Sequence, residues 1–541
     1  MVAWIKNAFA KESSIKGATL LLMITLVISN LMGVIRDHFL AGRISTYYLD
    51  IYYAGFKVPD LVFNLLILGA VSSVFIPIFT EKISQKDQKR AFEIANRLLT
   101  AGLIFTVLSA IVLYFLMPLI IPILVPKFSP DRIEMTVKLS RILMLTPIFF
   151  SLSYTVSGIL NSYHRFFAYS LAPLFYNLAI ILGVILLSER FGVYGVAWAV
   201  VFGAILHFLI QVPTLIKVGF RFRLSAFHRD PELKRILYLM IPRSVGLGTN
   251  QLTLFAFTAI SSALAAGSIA VFTFADNIQT MPVVVFGTSL ATVLFPTLSI
   301  KAANNNKEDF LKYFYRAIKA ILYMMTPLAV FFLIFSRSIV KIILDNGQFS
   351  VFDSVRASET LAAFCLAIVF ESILTIIVRA FFAQKNTKIP MYASFISMII
   401  AIFSGYLFSR HLGVPGLALG IALSNFFSVV FLFYFFHKKF ISIDFLNLFS
   451  FFGRIIVASV SSGYIIFFVR KFTNSFLPTT SFLFMLTEII IAFVIFGLIY
   501  IQISRILKVD ELSLVFKKLL EKLNRQSRFD QGESGSNLER P

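Results

Sequence analysis

The sequence predicts an all-α integral membrane protein of about fourteen transmembrane helices: two six-helix lobes related by a parallel repeat, plus two extra C-terminal helices. Three observations carry this. Of 541 residues, 58% are hydrophobic and only 14% charged, with a mean hydropathy of +0.85, whereas an ordinary soluble domain carries about 25% charged residues. The apolar runs reach the roughly 20 residues a spanning helix needs, and they are not the short alternating segments of an outer-membrane barrel. A segment of the first half also recurs in the second. A soluble enzyme and a barrel are both excluded.

The elements follow in order. Lys6, Lys11 and Lys16 precede an apolar run from Gly17. The charge order is that of a signal peptide, but no small-residue cleavage site follows, so 17–36 is read as the first span. The second, 47–80, holds Pro59, and the third, 93–125, holds Pro118 and Pro122. A missing N–H and a ring clash favour kinks or breaks there. Spans at 137–162, 168–188 and 193–216 complete the first half. Spans at 236–264, 269–299, 311–336, 355–383, 390–410 and 414–437 form the second, and 447–470 and 478–505 are left over. Beyond Asp510 the pattern Leu512, Val515, Phe516, Leu519, Leu520, Leu523 with interleaved lysines predicts a helix lying on the membrane surface. Residues 526–541 are polar and read as disordered.

The repeat fixes the organisation. FGVYGVAWAVVFGAILHFLI (191–210) matches LGVPGLALGIALSNFFSVVF (412–431), with Gly192, Val193 and Gly195 over Gly413, Val414 and Gly416. FIP at 75–77 with Lys82 and Arg97 matches LFP at 294–296 with Lys301 and Arg316. Six spans separate the copies, so both halves keep one orientation, an architecture in which two bundles rock about a site at their interface. The expected divisions are 1–218, 219–440, 441–506 and a tail, 507–541. Of the 49 Lys and Arg residues, more than twice as many fall in loops on the N-terminal side as in the opposite loops. The positive-inside rule therefore places both termini in the cytoplasm. The net charge of +22 then reflects topology, and no nucleic-acid partner is implied.

Constellations for catalysis or metal binding are missing. The single cysteine, Cys365, lies in an apolar run, and the six histidines are scattered. The chain is read as a transporter and not an enzyme, with no cofactor; the coupling ion is not legible, and a monomer is the default. Polar groups inside apolar spans are the informative set, because charge at membrane depth is costly and tends to face a cavity or a partner. In SNLMGVIRD, Ser29, Gly33 and Arg36 share one helical stripe beside Asn30. LDIYYAGFKVPDL brings Asp50, Lys57 and Asp60, with Asn64 a turn later. Arg36, Asp37 and Asp50 also fit a plainer reading as helix-end residues reaching water. In the second half, Asp276 and Asn277 are candidates, and Arg243, Asn250 and Gln251 lie early in the span at 236–264. Glu371 and Arg379, two helical turns apart, suit either an ion pair or a substrate contact, and Arg454 could pair with Glu488. His207 and Gln211 read as packing residues. A cationic interior in the first half implies a large anionic or phosphorylated solute.

At these motifs the chain resembles the MurJ/MviN family of lipid II flippases, within the superfamily that includes the MATE drug exporters. SNLMGVIRD, FKVPDL, ILNSYHRF (159–166), APLFYN (172–177), ATVLFPTLS (291–299), NGQFSVFD (346–353) and RAFFAQKNTKIP (379–390) match in order and spacing. The resemblance implies a bacterial inner-membrane protein whose two lobes enclose a cationic cavity for a diphosphate-linked head group. The two extra helices would form a groove for the polyprenyl tail. The implied partners are a lipid-linked peptidoglycan precursor and membrane lipids. Arg36, Asp50 and Lys57 match family positions, whereas Asn30, Phe63 and Asn277 stand where the family has arginine, and Phe257 where some members have a sodium-site aspartate. Arginine's bidentate grip on phosphate is not replaced by asparagine or phenylalanine. Either Arg36 and Lys57, with a residue such as Arg43, bind the diphosphate, or the substrate is another, less anionic polyprenyl-linked glycan. A cation-coupled drug exporter and a membrane scaffold for wall synthesis are the remaining alternatives.

Overall fold

The structure, a computed structural model, describes residues 15–65, 75–225, 230–440, 442–476 and 482–509. The amphipathic tail and the side chain of Arg243 lie outside the described residues. The first half comprises α1 (Ile15–Arg43), α2 (Thr46–Phe63), α3 (Ile76–Ser84), α4 (Gln88–Leu124), α5 (Pro130–Leu143), α6 (Thr146–Ser162), α7 (Phe166–Leu209) and α8 (Val212–Lys217). The second comprises α9 (Pro231–Ser262), α10 (Ser268–Pro282), α11 (Ser289–Ala303), α12 (Lys307–Leu344), α13 (Val351–Ala383), α14 (Lys388–Leu412) and α15 (Val414–Lys439). The last two are α16 (Phe445–Phe476) and α17 (Phe482–Ile506). No strand occurs among the described residues.

Eleven of these stretches are long and apolar enough to cross a bilayer. One of them, Phe166–Lys217, is two crossings, because α7 doubles back at Gly192. Two further helices fall short for chemical reasons. The polar groups Asp50, Lys57 and Asp60 dilute α2, and Thr249, Asn250, Gln251 and Thr253 dilute α9. Counting these, the crossings reach the fourteen that the sequence predicts.

The repeat is visible in backbone angles. Gly192 has φ 55 and ψ −140, and its counterpart Gly413 has φ 66 and ψ −138. Positive φ at this ψ is open to glycine and strained for other residues, which is why the Gly-Val-x-Gly motif marks both hairpins. The legs of each hairpin then pack closely: a methyl on Gly183 would meet Ala199, and one on Gly420 would meet the backbone of Gly405. The left-handed residues Lys86 and Asn305 recur at matching places, each followed by a helix-capping side chain, Asp87 or Asn306.

Several expectations need correction. Pro118 and Pro122 do not break α4, which runs on from Gln88 to Leu124. The span expected at 269–299 is instead two α-helices joined by a π-helical segment, Val283–Thr288, directly after Pro282. A proline that cannot donate its N–H accounts for wider winding at that point. The partner of Glu488 is Arg470 (Nε to Oε1, 3.3 Å), not Arg454, which reaches Ser450 on its own helix. Arg470 also donates to the carbonyl of Ile334 and to Ser338 Oγ, and Tyr500 donates to the carbonyl of Tyr323. These bonds fix α16 and α17 against α12, so the two extra helices attach to the second half. Glu371 and Arg379 form no ion pair among the described residues. His207 and Gln211 do pack, in a buried network with Ser153 and Ser157.

Candidate functional site

α1, α2, α7, α9 and α10 enclose a cavity of about 300 Å³ whose wall includes Arg36, Lys57, Asp60, Asp276 and Asn277, with Tyr52, Tyr53 and Tyr176. The sequence supplies this wall by putting polar residues on helices that are otherwise apolar. Arg36 is held in place from two sides. Its Nε and Nη2 donate to Asp37 Oδ1 at 3.0 and 2.9 Å, and Nη1 donates to Asn177 Oδ1 at 3.3 Å. Asp37 is 2% exposed and also accepts from Asn277 Nδ2 at 2.8 Å. It is therefore a link between the two halves, not a helix-end residue reaching water. Lys57 makes no ion pair among the described residues, and the hydroxyl of Tyr53 is buried without a hydrogen-bond partner. The Lys57 ammonium and the Arg36 guanidinium thus line one space, with the unpartnered Tyr53 hydroxyl buried in its wall.

The lining is of mixed sign. Asp60 and Asp276 line the same cavity as Arg36 and Lys57. Of the other candidates, Asn30 donates to the carbonyl of Leu26 on its own helix, and Asn64 donates to the carbonyl of Asp60. Ser29 contributes its carbonyl, which accepts from Asn177 Nδ2. A methyl group on Gly33 would meet nothing within 4 Å. Arg43 pairs with exposed Glu189 and does not join the cavity. These residues share helices with the site without lining it.

Asp50 is placed elsewhere, two turns from Lys57, at a junction between the halves. It is 2% exposed, and its carboxylate accepts from the backbone N–H groups of Gly267 (2.7 Å) and Ala270 (3.0 Å) and from Arg132 Nη2 (3.0 Å). A carboxylate at the first turn of α10 satisfies N–H groups that the helix leaves free and meets the positive end of its dipole. Gly267 has φ +86, and a methyl there would lie 2.7 Å from Thr46, so glycine permits the approach. Around it Thr46 Oγ1 donates to Asp353 Oδ2 (2.9 Å), the Gln348 N–H donates to the carbonyl of Gly42 (3.1 Å), and His38 Nδ1 contacts the carbonyl of Ile343 (2.7 Å). This end of the molecule is an interlock between α1–α2 and the α9–α10 and α12–α13 turns.

At the opposite end, Arg90, Arg97 and Lys82 hold the carboxylates of Asp230 and Glu232 at the entry to α9, with Arg90 Nε to Glu232 Oε2 at 2.9 Å and Lys82 Nζ to Glu232 Oε1 at 3.3 Å. Partial burial pushes the Glu232 carboxyl up, but Arg90 and Lys82 outweigh this and hold it below its ordinary value. Sequence reading singled out none of these pairs, because their partners lie more than a hundred residues apart.

A two-fold repeat of helical bundles, tied across the halves at both ends and lining a polar chamber at membrane depth, defines a polytopic transporter. The fold is similar to a solved structure described as lipid II flippase MurJ in an inward closed conformation, with a TM-score of 0.75, 24% identity, and coverage of 93% of this chain and 100% of that one. It is also similar to an inward-facing multidrug resistance MATE family transporter of the MOP superfamily, with a TM-score of 0.66, 15% identity, and coverage of 77% and 97%. Residues 45–487 match the sequence profile of the family described as lipid II flippase MurJ, and the chain belongs to that family. A probable lipid II flippase MurJ of Rickettsia prowazekii is 30% identical over 74% of this chain and 80% of its own length. One from Buchnera aphidicola is 28% identical over 83% and 88%, and the lipid II flippase MurJ of Burkholderia cenocepacia is 26% identical over 77% and 81%.

Proposed function

We propose that this protein carries a polyprenyl-diphosphate-linked peptidoglycan precursor, lipid II, from the cytoplasmic to the outer leaflet of the bacterial inner membrane by alternating access. The observation that carries the reading is the chamber in which Arg36, Lys57 and the unpartnered Tyr53 hydroxyl converge between helices of both halves. A guanidinium already oriented by Asp37 and Asn177 offers directed donors to a phosphate, and the Lys57 ammonium adds a point charge. The head group must avoid hydrocarbon, whereas the polyprenyl tail is at home in it. A polar chamber that opens to one leaflet at a time meets both demands, with α16 and α17 providing lipid-facing surface beside the second half.

The halves act as rocking lobes in this reading. With both termini in the cytoplasm, the interlock around Asp50 is the outer gate, and the cluster of Arg90, Arg97, Asp230 and Glu232 is the cytoplasmic latch. Asp50 then serves the conformational change and not the diphosphate. Flipping of another polyprenyl-linked glycan is the second reading. It is favoured by Asn277, which occupies an arginine position of the resembling family and spends its amide on Asp37. A monomer is sufficient for either, since one chain supplies the whole chamber.

Complementation of a strain whose lipid II flippase can be depleted tests the proposal. The wild-type chain restores growth, and Arg36→Ala and Lys57→Ala each reduce or abolish rescue at equal membrane abundance. Full rescue by the double variant would remove the assigned site. Failure of the wild-type chain, together with rescue of a strain lacking a different polyprenyl-glycan flippase, favours the second reading.

A further inference from the structure

Beside the first chamber lies a larger one, about 450 Å³, walled by α9, α10, α13, α14 and α15. Asp276 and Leu254 line both, so the two chambers share a wall. The chemistry changes across it. The first holds Arg36 and Lys57 together with Asp60 and the shared Asp276; the second holds Asp276 and Glu371 with no Lys or Arg among its described lining residues, hydroxyl and amide side chains such as Asn250, Ser397 and Asn425, and apolar ones such as Leu374 and Met398. Gln279 bridges the two carboxylates: its Nε2 donates to Asp276 Oδ1 at 3.0 Å and reaches Glu371 Oε2 at 3.4 Å. An amide donor is neutral, so it brings no positive charge to the two carboxyl groups.

The second observation concerns the other end of that amide. Gln279 is 2% exposed, and its Oε1 has no hydrogen-bond partner. Ser428 Oγ on the facing helix α15 is likewise buried and unpartnered. A buried acceptor without a donor costs about 1–3 kcal/mol, and its complement is an N–H or O–H group. Two carboxylates and a free carbonyl oxygen together ask for a cationic donor. A bare metal ion is a poor fit. Among the described residues no group of three or more acidic, histidine or cysteine ligands assembles, and the chamber is many times the volume of an ion. Its mixed wall of hydroxyl, amide and apolar side chains suits a carbohydrate or peptide.

We propose that this second chamber receives the distal part of the carried head group, and that Asp276, Glu371 and Gln279 bind a primary ammonium on it. The inference rests on the reading that the first chamber takes the diphosphate. The ligand is then dipolar, with phosphate toward Arg36 and Lys57 and amine toward Glu371, and the two chambers set its direction of entry. Lys57 faces Asp276 from the first chamber, so Glu371 is the carboxylate better placed to act for the amine alone.

The test uses the purified full chain and three short-chain probes: a bare polyprenyl diphosphate, the disaccharide-peptide diphosphate with a free side-chain amine, and the same molecule N-acetylated. Acetylation removes the charge without touching the protein. The free amine binds about tenfold tighter than the acetylated probe, the value of one charge-assisted contact, and Glu371→Gln brings that ratio close to one. Equal binding of the two amine forms by the wild-type chain overturns the proposal. So does a Glu371→Gln variant that keeps the amine preference and loses a response to added sodium, which makes the chamber an ion site. If the bare diphosphate fails to bind while the amine preference persists, the reading of the first chamber fails and that of the second stands.

Discussion

Replacing Asp50 with asparagine separates the gate from general stability. The Asp50 carboxylate makes two bonds across the halves, to the N–H groups of Gly267 and Ala270, and one within the first half, to Arg132. Opening this end breaks the first two and spares the third. Charge-assisted hydrogen bonds are worth about 1.5–3 kcal/mol each, and asparagine retains one neutral acceptor worth about 1 kcal/mol. The closed form therefore loses about 2–5 kcal/mol relative to the open one, a shift of at least about thirtyfold in their ratio. The damage to the Arg132 pair, about 3 kcal/mol for a buried partner left alone, is common to both forms and cancels from this ratio. It shows instead in thermal unfolding.

Spin labels at Tyr48 and Val351, both exposed and on opposite sides of the interlock, report the opening after the sole cysteine, buried Cys365, is replaced by serine. Asp50→Asn adds a longer-distance population that the parent lacks. Arg132→Met lowers the melting temperature but keeps the parental distances, because the bonds across the halves survive. An unchanged distance distribution in Asp50→Asn, or equal opening in Arg132→Met, would refute the gate.

Three smaller changes follow from the same geometry. Asn277→Ala leaves one oxygen of buried Asp37 without its donor from the second half, at a cost of about 1–3 kcal/mol; it lowers the melting temperature and broadens the spin-label distances. Gly267→Ala combines a left-handed φ with a methyl 2.7 Å from Thr46 and destabilises by about 1–3 kcal/mol, whereas alanine at Gly33, where nothing lies within 4 Å, leaves the melting temperature unchanged. The latch at Glu232 has an acid limb. Its carboxyl is held below the ordinary value, so its contribution is present above the unfolded value of about 4.3 and is lost as pH falls through the folded one. Hydrogen exchange in the first turn of α9 therefore accelerates below about pH 4 in the parent and loses that pH dependence in Glu232→Gln.

The fold was legible because bilayer thickness writes itself into run length, and because only glycine serves at Gly192 and Gly413. What stayed hidden was the pairing between halves. Asp37 with Asn277 and Asp50 with Gly267 are separated by more than two hundred residues, and nothing local distinguishes a carboxylate that caps a distant helix from one that faces water. Arg36 and Lys57 were found because charge at membrane depth is rare. Asp50, Ser29, Asn30, Gly33 and Asn64 were grouped with them by helix and not by face. Gln279 and Glu371 formed no recognisable spacing, so the second chamber could be found only from the way α9, α10 and α13 to α15 come together. The π-helical step after Pro282 likewise left only its proline in the sequence.

In the proposed cycle Arg36 and Lys57 hold the diphosphate of a lipid-linked precursor during its passage across the bilayer. Purified protein in sealed vesicles, loaded with labelled lipid II in the inner leaflet, measures that passage through the appearance of head groups accessible to an external hydrolase. The wild-type chain transfers lipid II well above protein-free vesicles, and Arg36→Ala with Lys57→Ala loses at least about tenfold, the worth of one charge-assisted phosphate contact. Transfer by the double variant at the wild-type rate would contradict that role.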